Sequence, residues 1–112
     1  MFIFVSQTPP SVNHSYRAYR GRVVLSARAR AFKQLVADAA PEGFAPLGCP
    51  IRLTVVFNFK DRRKRDLDNY LKVLLDSLKG LYFIDDDQVY GLSAEKRVGC
   101  PAEGVEITLE AI

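Results

Sequence analysis

The chain has 112 residues and a formal net charge of +3 at pH 7, with 48% hydrophobic and 26% charged residues. This length fits one domain, and the composition is that of an ordinary globular protein. No apolar run reaches the length of a membrane span, and the apolar start MFIFV lacks the charged flank of a secretory signal. We therefore expect a single soluble domain over residues 1–112, located in the cytoplasm.

Charge is distributed unevenly along the chain. The N-terminal part is strongly basic, whereas the last third is mainly acidic. Such asymmetry indicates a surface that binds a polyanion rather than an evenly charged exterior. The single histidine and the widely separated Cys49 and Cys100 exclude a zinc site of the usual spacing. Two buried thiols are favoured over a disulfide between them, which the sequence leaves open as the alternative.

The first half of the chain predicts two short strands followed by a helix. Residues 2–7 form an apolar, β-prone run, residues 9–21 predict a loop, and residues 22–25 predict a second strand. Ser26 is the expected N-cap of a helix that extends to about residue 40. The apolar positions near helical period in this helix are Ala27, Ala31, Leu35 and Ala39.

The second half predicts a strand, a helix and two further strands. Alternating apolar residues predict strands over 51–59, 89–97 and 105–112. A helix is expected to begin near residues 66–68 and to end before Gly80, which suits the position after a helix C-cap. Its apolar stripe comprises Leu67, Leu71, Leu74, Leu75 and Leu78. The order β-β-α-β-α-β-β predicts an α+β fold, a mixed β-sheet with two helices.

Residues 60–88 carry the residue types that point to chemistry. In chain order they are the basic Lys60, Arg62, Arg63, Lys64 and Arg65, then Asp66, Asp68 and Asn69, then Lys72, and finally Asp85, Asp86 and Asp87. Acids beside a basic run are expected where cations bind a polyanion and carboxylates hold a metal ion against its phosphates. All-oxygen ligands suit Mg²⁺ or Mn²⁺. A lysine one helical turn after Asp68 would neutralise charge that develops on the phosphate.

Each of these features has a simpler structural explanation. Asp and Asn at a helix start often act only as N-caps, and three consecutive acids are typical of a solvated turn. Lys72 stands four residues from both Asp68 and Asp76, a spacing typical of surface ion pairs. Tyr16 and Tyr19 would stack on bases, but packing over their own loop explains them equally well. The combined order of basic run, DxDN, lysine and DDxQ is harder to obtain from capping and solvation.

In that combined order the sequence resembles the RusA family, the Holliday junction resolvases of bacteria and their phages. The segments DRRKRDLDNYLKVLLDSL and GLYFIDDDQV carry the resemblance, which covers most of the chain, and PPSVNHSYR followed by RGR supports it. The resemblance implies a RusA-like fold and a Mg²⁺-dependent crossover junction endodeoxyribonuclease. Such a phosphodiester hydrolase acts as a homodimer, nicks four-way DNA junctions at symmetry-related positions, and serves DNA recombination and repair. The resemblance also implies that the protein comes from a bacterium, a phage or a prophage.

The resemblance also assigns roles to individual residues. The implied catalytic residues are Asp66, Asp68, Lys72 and Asp86, and the same three aspartates are the implied metal ligands. Asp86 is chosen because it stands two residues before Gln88, while Asp85 and Asp87 remain alternatives for this ligand. The expected DNA-binding residues are Lys60, Arg62, Arg63, Lys64, Arg65 and Asn69, together with Arg17 and Arg20 of the N-terminal loop.

Two other functions remain open at this point. The first is a non-catalytic module that uses the basic run and the Tyr/Arg loop to hold branched or single-stranded nucleic acid. The second is a domain without a nucleic-acid role, which fits the charge asymmetry worst. Neither a small-molecule cofactor nor a membrane partner is expected.

Overall fold

A four-stranded mixed sheet organises the fold. The computed structural model describes residues 1–112. Its strands are β1 (Phe2–Val5), β2 (Tyr16–Tyr19), β3 (Arg22–Leu25), β4 (Ile51–Asn58), β5 (Val89–Arg97) and β6 (Gly104–Ala111), and its helices are α1 (Val12–Ser15), α2 (Ala27–Asp38) and α3 (Leu67–Leu78). The order in the main sheet is β1-β6-β4-β5, with β4 and β5 parallel and the other pairs antiparallel. The predicted α+β fold class is confirmed.

Strand β4 forms the centre of the core because its side chains alternate as predicted. The residues on its core face are at most 1% exposed: Ile51, Leu53, Val55 and Phe57. This strand pairs with β5 along one edge and with β6 along the other. Strand β1 pairs with the far side of β6, so strands from the two ends of the sequence are neighbours.

Helix α2 begins where the sequence predicts but buries a different face. The side chain of Ser26 accepts a hydrogen bond from the Ala29 amide at 3.1 Å, which confirms Ser26 as the N-cap. The buried residues are Ala29, Phe32 and Val36, and not the predicted set of Ala27, Ala31, Leu35 and Ala39. That prediction is wrong because three of its four members are alanines. Burial of Phe32 and Val36 removes more apolar surface from water.

Helix α3 connects the parallel strands β4 and β5 and packs on the sheet. Gly80 follows its C-cap with a φ of +84°, in the left-handed region, as predicted. Of the predicted apolar stripe, only Leu74 and Leu78 are fully buried, and Val73 joins them. The crossover places the first turn of α3 beyond the C-terminal end of β4, the end at which α/β folds commonly build sites.

The prediction of a loop over residues 9–21 is wrong. This segment contains α1 and β2, and β2 pairs with β3 as a separate two-stranded sheet. Arg20 (φ +50°) and Gly21 (φ +75°) make the turn, in the left-handed conformations that a two-residue hairpin turn requires. The strand predicted over residues 22–25 therefore exists, but it belongs to this hairpin and not to the main sheet.

The sequence also predicts that the two cysteines are buried and do not form a disulfide. Cys49 and Cys100 are free, as predicted, but both are only partly buried.

None of the helices is long and apolar enough to cross a bilayer. The longest, α2 and α3, have 12 residues each, whereas a membrane-spanning helix needs about 20.

Replacement of Phe32 by alanine tests the observed face of α2. Phe32 is 1% exposed. We expect Phe32→Ala to lower the free energy of unfolding by about 3–5 kcal/mol, the usual cost of truncating a buried aromatic side chain. Leu35→Ala is the matched control on the same helix, because Leu35 is 36% exposed and its truncation should cost about 1 kcal/mol or less. Urea unfolding followed by circular dichroism measures both, and equal losses would contradict the packing described.

Candidate active site

An open cleft along α3 brings together charged side chains from separate parts of the chain. It has a volume of about 250 Å³ and is lined by Asp68, Leu71, Lys72, Leu75, Asp76 and Asp86. Three of these, Asp68, Lys72 and Asp76, follow one face of α3 at i, i+4 and i+8. Asp86 reaches the cleft from the 3₁₀ turn before β5. This acidic cleft therefore contains two of the predicted metal ligands and the predicted lysine.

The three consecutive acids before β5 have different environments. The carboxylate of Asp85 accepts a hydrogen bond from the Asp86 amide at 2.9 Å and pairs with Lys79 at 3.3 Å. Asp85 is therefore engaged in capping the 3₁₀ turn. Asp86 is the one acid of the three that lines the acidic cleft, and Asp87 is exposed outside it. This placement favours Asp86 among the three alternatives.

Gln88 holds the turn that carries Asp86. Its side-chain oxygen accepts hydrogen bonds from two backbone amides of the turn, both at 2.8 Å. Its side-chain nitrogen donates to the carbonyls of Leu47 and Cys49 at 2.7 and 2.9 Å. The amide thereby uses both its donors and its acceptor. The DDxQ pattern thus has a structural reason, since the glutamine joins the acidic turn to the loop before β4.

Lys72 is held on the wall of the acidic cleft by Asp76 and Tyr16. Its Nζ atom lies 3.4 Å from the Asp76 carboxylate and 5.7 Å from the centroid of the Tyr16 ring. The Tyr16 hydroxyl, on β2, donates a hydrogen bond to the same carboxylate. Burial and then the Asp76 carboxylate raise the pKa of Tyr16 to about 12, so the phenol remains a donor at neutral pH. Exposed i,i+4 ion pairs contribute only about 0.3–0.5 kcal/mol, so this contact mainly orients the lysine.

Asp66 lies next to the acidic cleft and not in its lining. It occupies the N-cap position of α3 but makes no side-chain capping bond, and it is exposed. No three His, Cys, Asp or Glu side chains lie close enough together to hold a metal ion. Two of the three predicted ligands, Asp68 and Asp86, line the acidic cleft, whereas Asp66 lies outside it at the N-cap position of α3.

The donor chemistry of the acidic cleft nevertheless fits a hard divalent cation. The side chains of the cleft with oxygen atoms suited to a metal ion are all carboxylates, and those of Asp68 and Asp86 are exposed. Mg²⁺ commonly binds one or two protein carboxylates and takes its remaining ligands from water and substrate phosphates. A closed cage of three protein ligands is therefore not required for such an ion.

The basic loop, residues 60–65, leads from β4 to α3 and is organised by Asp61. The Asp61 carboxylate accepts a hydrogen bond from the Arg63 amide at 3.0 Å and pairs with the Arg65 guanidinium at 2.8 and 3.1 Å. The Arg65 guanidinium and then the Arg63 amide hold the pKa of the Asp61 carboxyl well below its usual range. The loop therefore has a defined shape before any ligand binds.

Arg65 differs from the other cations predicted to bind DNA. Its side chain is only 8% exposed, and its guanidinium lies 4.2 Å from the centroid of the Phe59 ring. Because the same group is paired with Asp61, Arg65 fastens the basic loop to the core. We therefore correct the expectation that it is presented to DNA.

The remaining predicted cations lie on the surface. The exposed ones are Lys60, Arg62, Arg63 and Lys64 on the basic loop, and Arg17 and Arg20 on the β2–β3 hairpin. The guanidinium of Arg62 lies against Gly99, where a Cβ atom would come within 2.7 Å of it. Asn69 is half-buried in the first turn of α3, beside Asp68.

Two contributions to the site were missed in the sequence. Asp61 interrupts the basic run, and an isolated acid among cations was an available signal of an organising ion pair. The contact between Tyr16 and Asp76 joins residues 60 positions apart, and no local pattern predicts it.

Comparison with known proteins identifies the family. The chain matches the family described as Endodeoxyribonuclease RusA over residues 7–110. It is 34% identical over 104 residues to the Crossover junction endodeoxyribonuclease RusA of Escherichia coli (strain K12). The matched residues make up 90% of this chain and 87% of that protein. The corresponding proteins of Enterobacteria phage 82 and Shigella sonnei (strain Ss046) are 34% and 33% identical with the same coverage. The chain belongs to the RusA family, which confirms the resemblance.

The contact between Tyr16 and Asp76 predicts a distinctive titration. The folded-state pKa of about 12 lies above the ordinary phenol value of 10.0. Burial of the neutral phenol and then its bond to Asp76 raise this pKa, so the protonated phenol favours the folded state below the ordinary value, and this contribution is lost as the pH rises through the folded-state value. In phenolate absorbance, Tyr16→Phe should remove one phenol from the high-pH component, to which Tyr82 also contributes because burial raises its pKa. Asp76→Asn should move the Tyr16 contribution to lower pH. Tyr90→Phe, at a position 72% exposed, is the control that should retain it. An unchanged component in Tyr16→Phe would contradict the assignment.

Proposed function

We propose that this member of the RusA family is a Mg²⁺- or Mn²⁺-dependent endodeoxyribonuclease that resolves four-way (Holliday) DNA junctions. The observation that carries the proposal is the acidic cleft, in which Asp68, Lys72 and Asp86 share one open surface. The relatives are named crossover junction endodeoxyribonucleases, and the match covers 87% of their length. Similarity over nearly the whole of those proteins supports the same activity here.

Exposed cations next to the acidic cleft supply the contacts to DNA. The basic loop ends at Arg65, directly before α3, and the β2–β3 hairpin reaches the cleft through Tyr16. Cations at both places would neutralise phosphates, and the resulting affinity should weaken as salt concentration rises. Asn69 offers a side-chain amide beside Asp68 for a phosphate oxygen. Because these contacts address the backbone, selectivity for branched DNA would come from the shape of the junction.

The residues of the acidic cleft divide the chemistry between them. Asp68 and Asp86, with Asp66 at the adjacent N-cap, would hold the divalent ion. When bound, such an ion polarises a phosphoryl oxygen and activates water. The Lys72 ammonium, oriented by Asp76, would stabilise the negative charge that develops on the reacting phosphate. Asp76 and Tyr16 thus act through the lysine, as positioning residues.

A homodimer would match the symmetry of the substrate. A four-way junction with two-fold symmetry requires two incisions, and a dimer with C2 symmetry presents two identical sites to them. Apolar surface is available for the contact between subunits, since Phe2 and Phe4 on the outer face of β1 are 59% and 48% exposed. The paired nicks would leave ends that a ligase can seal. We accordingly place this chain in DNA recombination and repair, in the cytoplasm of a bacterium and encoded by the host or a phage.

Substitution of the cleft carboxylates tests the proposed reaction. With Mg²⁺ and a labelled four-way junction, we expect Asp68→Asn and Asp86→Asn each to slow cleavage by about 100-fold or more, the scale on which a single electrostatic group acts. Asp87→Asn is the matched control, because Asp87 adjoins Asp86 but lies outside the acidic cleft. It should cut at the wild-type rate. Mapping of the nicks with and without EDTA measures both the rates and the metal dependence.

Two outcomes would reject this reading. Wild-type cleavage by Asp68→Asn would contradict the assigned mechanism. Wild-type protein that shifts junctions in a gel but cuts them in neither Mg²⁺ nor Mn²⁺ would instead support a non-catalytic module that binds branched DNA.

The proposed dimer makes a separate prediction. In sedimentation experiments the free protein should have twice the chain mass of 12.6 kDa. On a junction labelled in all four strands, the two nicks should fall at symmetry-related positions in opposing strands. A monomer that cuts one strand per binding event would contradict the dimer while leaving the nuclease activity in place.

A further inference from the structure

The turn that carries Asp86 is exposed except for one side chain. Residues 84–87 are all exposed, whereas Gln88 is half-buried. The Asp86 carboxylate takes part in none of the ion pairs of the protein. The position of this proposed metal ligand therefore depends on the backbone of residues 85–88, which we call the acidic turn, and on whatever fixes that backbone.

The hydrogen bonds of Gln88 require a side-chain amide. Its oxygen accepts from the backbone amides of Ile84 and Asp85, and its nitrogen donates to the carbonyls of Leu47 and Cys49. A glutamate of the same shape would keep the acceptor but would have no proton for the two carbonyls. A lysine would supply donors but no acceptor. A glutamine is therefore suited to join these two backbone segments at this place.

The loop on the other side of Gln88 is itself fixed to the core. The Leu47 amide donates to the carbonyl of Tyr82 at 2.9 Å, and Tyr82 is 1% exposed. At the end of the same loop, the Pro50 carbonyl accepts a hydrogen bond from the Ile112 amide at 2.9 Å. Gln88 thus ties an exposed turn to backbone that is held from two directions.

We propose that Gln88 is a positioning residue for the divalent ion, whose hydrogen bonds hold Asp86 in the acidic cleft with Asp68. Mg²⁺ demands near-ideal octahedral geometry, so a ligand on a loose turn would bind it poorly. Loss of a hydrogen bond that supports a metal ligand typically weakens metal binding by about 10–100-fold. The inference rests on the proposed function, because it takes Asp68 and Asp86 to hold the ion.

The first experiment measures ion binding without any cleavage. Mn²⁺ is titrated into the protein, and the free ion is followed by electron paramagnetic resonance. We expect Gln88→Glu and Gln88→Met each to weaken Mn²⁺ binding by about 10-fold or more. The two variants separate position from charge. A carboxylate added to the acidic turn would by itself attract the cation and strengthen its binding, whereas methionine adds no charge.

The same variants separate ion binding from DNA binding. Because Gln88 is not among the cations that contact DNA, affinity for a four-way junction in EDTA, measured by gel shift, should remain that of the wild type. Half-maximal cleavage should require about 10-fold more Mg²⁺. Gln34→Glu is the matched control, since Gln34 is exposed on α2 and lies outside the acidic cleft. It should match the wild type in all three measurements. Thermal unfolding verifies that each variant is folded.

Thermodynamic linkage supplies a test on the wild-type protein alone. If the hydrogen bonds to Gln88 favour ion binding, the ion must favour those hydrogen bonds by the same factor. Saturating Mg²⁺ should therefore slow hydrogen exchange of the Ile84 and Asp85 amides by about 10-fold, as measured by NMR. The Ala29 amide, which donates to the side chain of Ser26 on α2, is the control and should exchange at an unchanged rate.

The outcomes separate this inference from the proposed function. Gln88→Glu protein that binds Mn²⁺ as tightly as the wild type, or more tightly, would overturn the inference. Exchange of the two turn amides that Mg²⁺ leaves unchanged would overturn it as well. Wild-type protein that binds Mn²⁺ yet cuts no junction would reject the proposed function alone, and the titration would still decide the role of Gln88. If Gln88→Glu does not fold, Gln88→Met and the wild-type exchange rates give the decision.

Discussion

Burial of one face of α3 against the sheet is the constraint on which the site depends. Leu74 and Leu78 are at most 1% exposed, and burial of each contributes about 1.5–3 kcal/mol. These contacts fix the rotation of α3 about its own axis. Because positions i, i+4 and i+8 share a face, the same rotation directs Asp68, Lys72 and Asp76 together into the acidic cleft. A rigid packing contact thus sets the geometry of charged groups on the opposite side of one helix.

Two carboxylates that lie outside the predicted metal set have similar parts in the site. Asp61 holds Arg65 and shapes the basic loop, while Asp76 holds Lys72 in the acidic cleft. In each case an acid fixes a cation through its hydrogen bonds and adds little stability where the pair is exposed. Groups oriented before the substrate arrives do not have to be reorganised during the reaction, which is the main source of electrostatic catalysis. The acids of the site therefore have two roles, ligand and support.

Strong periodicity made parts of the fold predictable from the sequence. The alternation along β4 and the caps of both long helices were readable because each depends on neighbours within one element. The face of α2 was predicted wrongly because Phe32 and Leu35 each belong to a set with helical spacing, and spacing alone takes no account of the larger apolar area of Phe32 and Val36. The β2–β3 hairpin was missed because its strands are four residues long and mostly exposed. The DxDN and DDxQ segments located Asp68 and Asp86, but the cleft that they share arises from tertiary packing alone.

The order of strands in the main sheet also governs when the domain is completed during synthesis. Strand β6, which follows the other strands of this sheet in the sequence, lies between β1 and β4. Until it emerges, β1 has no partner at all, and one edge of β4 presents unpaired amides and carbonyls to other chains. Exposed edges of this kind promote association with other strands. A chain that ended before residue 104 would retain α3 and every acid of the cleft, yet the edges of β1 and β4 that face β6 would be left without their partner and open to pairing with other chains.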